Sequence, residues 1–131
     1  MMIREPAQAG TFYASSREAC LGDLDALLGS ASCEVPNPDR VIGGIVPHAG
    51  WAYSGRVAAR VFQAVAEQRS PATFVIFGAV HRPMRPVAAV FARGAWSTPL
   101  GEIAIDERLA ERILSQTTLV EEDPYAHEQE H

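Results

Sequence analysis

Four histidines and a pair of neighbouring arginines are the residues of this sequence best equipped for chemistry. His48 lies in "IVPHAGWAYSG", residues 45–55, where an apolar run ends in proline and gives way to small residues. His81 lies in "FGAVHRPMRP", residues 77–86, at the same point after a second apolar run. A neutral imidazole is both a proton carrier near neutral pH and a common metal ligand. Two such rings at matching strand ends predict one shared ion. A lone loop histidine is more commonly a solvated residue; the matched positions favour the ligand reading. Arg82 and Arg85 carry the planar forks that clamp a carboxylate or phosphate, although loop arginines are usually solvated. Trp51 and Tyr53 are candidate walls of a substrate pocket, with Trp96 as a further aromatic.

The other two histidines close the chain in "AHEQEH", residues 126–131. On a helix His127 and His131 would share a face at i, i+4, with Glu128 directly after the first. That is the spacing of a zinc-protease HExxH motif. Against it stand an acidic chain end, no helix body to follow, and no third ligand downstream. His127 is instead the candidate acid, base or hydrogen-bond partner behind the metal ligands. A third ligand within the chain would have to come from His127, His131, Glu128, Glu130, Asp123, Cys20 or Cys33.

Positioning these groups requires elements that end at one edge. "RVIGGIV", residues 40–46, and "ATFVIFGAV", residues 72–80, read as strands apolar on both faces, the pattern of parallel sheets. Between them Ser54 can cap a helix whose Val57, Val61 and Val65 recur at i, i+4, i+8. Strand, helix and strand form a right-handed βαβ unit. In such sheets ligands bind beyond the carboxyl ends of the strands, where both histidines fall. Ser15, with Glu18, predicts the capping box of a first helix over 16–28 bearing Leu21, Leu24 and Leu28. "VAAVFA", residues 87–92, and "GEIAI", residues 101–105, read as further strands. Asp106 caps a last helix carrying Leu109, Ile113 and Leu114. The expected fold class is α/β, a mainly parallel central sheet flanked by helices.

Composition bounds the function. At 131 residues and 47% hydrophobic content, the sequence suits one soluble domain. No apolar run reaches the roughly 18 residues of a membrane span, and no signal-peptide core opens the chain; a cytoplasmic protein with no membrane partner is expected. The net charge of −5 argues against nucleic acid. All 11 Lys+Arg residues are arginine, which removes Schiff-base and lysine-base chemistry. Cys20 and Cys33 lack CxxC spacing and read as buried thiols.

Five stretches in order, "PAQAGTFY", "PHAGWAYSG", "FGAVH", "STPLGEIAID" and "AHEQEH", resemble the Memo-like proteins, called AmmeMemoRadiSam system protein B in prokaryotes. The resemblance implies a fold related to the class III extradiol dioxygenases (LigB-like), whose iron is held by two histidines and a carboxylate. It implies a metal held by His48 and His81 with a later cysteine. It does not imply a settled activity. Where the family usually has Gly-Pro-x-His, this sequence has Gly78-Ala79-Val80-His81. His131 falls within a motif that continues in the family, so a single Memo-like domain over 1–131, truncated at its C-terminus, is expected.

Three functions follow as expectations. The first is a dioxygenase-related redox protein with a divalent metal, iron foremost and copper or zinc as alternatives, acting on a small molecule or peptide in the cleft. The second is a non-catalytic module binding a peptide or anion. The third is a fragment without a complete site. Strands apolar on both faces with few helices to cover them predict self-association.

Overall fold

A computed structural model describes residues 1–30, 41–68 and 71–131. In chain order the elements are β1 (Ile3–Arg4), α1 (Arg17–Gly29), α2 (Trp51–Gln68), β2 (Ala88–Val90), β3 (Ala95–Thr98), β4 (Gly101–Ala104), α3 (Glu107–Gln116), β5 (Val120–Glu122) and a 3-10 turn, Pro124–His127. The class is α/β. The chain divides into two compact units, Met1–Gln8 with Val75–His131, and Ala9–Phe74. None of the described helices is long and apolar enough to cross a membrane.

The first unit is built on short strands. β1 pairs parallel to β3, which turns into antiparallel β4, while β2 pairs parallel to β5. The β1 contact is tight because Gly94 (φ +90°) precedes β3, and a β-carbon there would collide with the Met2 carbonyl. An L side chain disfavours that backbone conformation as well, so glycine is required twice over. Beyond it Ala95 N–H donates to Met2 O at 3.0 Å. Ala95, Phe91 and Ala92 are buried beside these strands. α3 starts as expected, with Asp106 Oδ1 accepting from Leu109 N–H at 3.0 Å, one of the donors a helix start leaves unpaired.

In the second unit α1 begins one residue later than the capping-box reading. Ser16, not Ser15, is the N-cap, and its Oγ accepts from Ala19 N–H at 3.2 Å. The inward stripe is correspondingly rotated. Cys20 is buried and Leu24 and Leu27 are half-buried, while Leu21 and Leu28 are 40% and 38% exposed. Leu27 packs against α2 at Gly55, where a β-carbon would lie 2.9 Å from Leu27 Cδ1. Burial, and then the charge of Asp23, raise the Cys20 thiol above its ordinary range. Cys33 lies outside the described residues.

α2 opens at Trp51, three residues ahead of the expected cap at Ser54. Trp51 N–H donates to Phe12 O at 2.8 Å, which fixes the helix start to the "GTFY" segment. Ser54 is buried within the first turn, its hydroxyl donating to Ala49 O at 2.8 Å. A satisfied hydroxyl one turn inside the helix gives the same serine signal as a cap.

The largest departure concerns the two apolar runs. Residues 41–46 and 72–80 take part in no ladder among the described residues. Ile42, Ile45 and Phe77 are 87%, 96% and 93% exposed. An extended run becomes a strand only when neighbours satisfy its backbone donors and acceptors, and neither run is paired to a described strand. The parallel pairings have helices in their connections, α1 and α2 between β1 and β3, and α3 between β2 and β5.

Candidate functional site

The C-terminal segment is held in place from the start of the chain, within the first unit. Arg4 Nε donates to His127 O at 2.7 Å, and its terminal nitrogen donates to Glu130 O. The Arg4 guanidinium lies 4.5 Å over the Trp96 ring, a cation–π contact. Gln8 adds a bond to Gln129 O at 3.3 Å. Asp123 shapes the turn before this segment, its Oδ1 accepting from Tyr125 N–H and Ala126 N–H. Pro124–His127 is therefore a 3-10 turn capped by Asp123, and the α-helical face expected for His127 and His131 does not form. The zinc-protease reading falls with it, because HExxH needs both histidines on one α-helical face.

What the segment does form is a cluster on His81. Glu130 Oε1 accepts from the His81 backbone N–H at 2.7 Å, and Oε2 lies 2.6 Å from His81 Nδ1. The His131 ring stacks beside that of His81, with centroids 4.8 Å apart and planes 40° from parallel. The His81 side chain is 46% exposed, whereas that of Glu130 is 15% exposed. Burial alone would raise the Glu130 carboxyl. The hydrogen bonds from the His81 backbone and ring, with the charges of His81 and His131, outweigh it and hold the carboxyl below its ordinary range.

His127 has a different setting. Its ring packs edge-on to Phe91 at 6.1 Å and lies 6.1 Å from Trp96. His127 Nε2 and Trp96 Nε1 are buried without a hydrogen-bond partner among the described residues. Burial first and the Arg4 charge second lower the His127 ring; a bond to the Ala89 backbone and the charges of Asp123 and Glu130 oppose this without prevailing. The ring is a neutral, part-buried group.

The remaining candidates are placed as follows. Arg82 is exposed directly after His81. His48 belongs to the second unit, exposed just ahead of α2. Trp51 is half-buried, with its ring 5.6 Å from Tyr13, while Tyr53 is 88% exposed. Arg4 was missed by sequence reasoning, and Glu130 was read only as a possible ligand. An anchor made by contacts more than a hundred residues apart has no local motif.

The family model described as Memo-like protein matches residues 4–131. The chain belongs to the Memo-like family. Among similar proteins, a MEMO1 family protein of Pyrobaculum aerophilum is 41% identical over 136 residues, covering 100% of this chain and 48% of that protein. A MEMO1 family protein of Thermoplasma acidophilum is 40% identical over 99% of this chain and 47% of its own length. One from Pyrococcus abyssi is 38% identical, at 99% and 44%. This Memo-like chain thus spans about half the length of the curated relatives it matches.

Proposed function

We propose that this Memo-like chain contributes His81 and His131 to a divalent metal centre in a dioxygenase-related cleft, with His48 as the further ligand that the family resemblance implies. The observation that supports it most is the His81 cluster: two imidazoles side by side, one of them with its Nδ1 against a carboxylate. Imidazole nitrogens suit iron, copper and zinc. Metal-bound histidines commonly direct their second nitrogen to a carboxylate. The residues therefore fit such an ion, with iron foremost. Once bound, it would supply Lewis-acid or redox chemistry to a small molecule or peptide.

The protein's own residues have separate duties in this reading. His48, just ahead of α2, is the ligand that the family resemblance adds. Arg82 offers a fork to an anionic group of the substrate, and Trp51 and Tyr53 give it apolar surface. His127, neutral and part-buried, is the acid, base or hydrogen-bond partner behind the centre. The runs at 41–46 and 72–80 carry the apolar pattern of inner strands in a mainly parallel, LigB-like sheet.

The test is elemental analysis of protein purified without chelator, for wild type and for His81→Ala and His131→Ala. Retention of iron, copper or zinc near stoichiometry by wild type, with loss in both variants, is expected. Equal metal content in all three would refute the centre.

A further inference from the structure

The two oxygens of Glu130 are both committed to one residue. Oε1 takes the backbone N–H of His81 at 2.7 Å, and Oε2 sits 2.6 Å from Nδ1 of the same residue. A carboxylate can only accept, so the ring nitrogen facing it must carry the hydrogen. The neutral ring's lone pair is then on Nε2. Gripping the backbone and the ring together also fixes the first side-chain rotation, because the two bonds span that torsion. Glu130 is itself held from behind, since Arg4 donates to its carbonyl and to that of His127 while lying on Trp96.

We infer that Glu130 is a positioning residue, which locks His81 into the Nδ1–H tautomer and one ring orientation so that Nε2 is presented as the ligating atom. The inference deepens the metal-centre reading and rests on it for the identity of what Nε2 meets. The tautomer lock itself is a property of the metal-free chain.

The experiment is long-range ¹H–¹⁵N correlation of the histidine rings in metal-free protein at pH 8, for wild type, Glu130→Gln and Glu130→Ala, paired with anaerobic Fe(II) titration. Wild type should show His81 as the Nδ1–H tautomer. Glu130→Ala should release it to the mixture, rich in Nε2–H, of a free imidazole. Glu130→Gln can still accept one bond, so it should retain Nδ1–H in part. Fe(II) affinity should fall by about 10- to 100-fold in Glu130→Ala, the usual consequence of removing a ligand's hydrogen-bond partner, and by less in Glu130→Gln. A purely structural role would weaken folding in both variants without the graded change in tautomer. His81 as Nε2–H in wild type would overturn the inference, and this readout requires no variant to fold. An Nδ1–H ring in a wild-type protein that binds no Fe(II) would leave the lock standing and remove the metal-centre reading.

Discussion

Arg4 shows how one side chain can organise a distant segment. It makes two charge-assisted hydrogen bonds to the carbonyls of His127 and Glu130, over a sequence separation of more than a hundred residues, and covers Trp96. Hydrogen bonds to charged groups are worth about 1.5–3 kcal/mol each. Arg4→Met, which keeps the apolar stem, should therefore destabilise the protein by at least about 3 kcal/mol in urea unfolding. A loss below about 0.5 kcal/mol, the range of an ordinary surface substitution, would show the anchor to be idle. His127 provides a pH signature. Its folded-state ring is lowered by burial and Arg4, so the unfolded chain binds its proton first as pH falls. The sign follows: this contribution is complete above the unfolded value of about 6.5 and declines as pH drops from there through the lowered folded value. Asp123 and Glu130 oppose the shift and moderate the decline. In urea melts across that window, His127→Gln should show a shallower fall of stability with pH than wild type. Parallel curves would contradict the assignment.

At the scale of elements, what the sequence revealed depended on whether the cause was local. α3 was legible because Asp106 caps it directly. α1 was displaced by one residue because Ser15 and Ser16 offer the same hydroxyl, and only the bond to Ala19 distinguishes them. β2 and β4 were legible from apolar patterning. β3 and β5 were not, because "AWST" and "VEE" become strands through partners far along the chain. The runs at 41–46 and 72–80 carry a strong strand pattern yet lack a ladder, since composition cannot supply a neighbour. Of the candidate site, the histidines were legible as residue types, whereas the grip of Glu130 on His81 depends on a 3-10 turn that spacing did not reveal. Gly94 offers the clearest test of this level. Gly94→Ala places a β-carbon against the Met2 carbonyl in a left-handed conformation. It should cost at least about 2 kcal/mol and loosen the β1–β3 pairing, seen as faster amide exchange at Ala95. Unchanged exchange would show that β1 does not depend on that close approach.

For the molecule as a whole, the exposed apolar runs set the behaviour. Ile45 and Phe77 are 96% and 93% exposed, in runs that join no ladder among the described residues. Such surfaces favour association. We propose that the chain self-associates through them, and light scattering should show mass rising with concentration in the micromolar range. Ile45→Lys with Phe77→Lys should suppress the rise, and a concentration-independent monomer in wild type would contradict it. The central claim, that His81 and His131 hold one ion, is tested most directly by anaerobic titration calorimetry of Fe(II) into wild type, His81→Ala and His131→Ala. About one ion per chain, bound at least about 10-fold more weakly in every variant, is the predicted result. Affinity unchanged in both variants would contradict it.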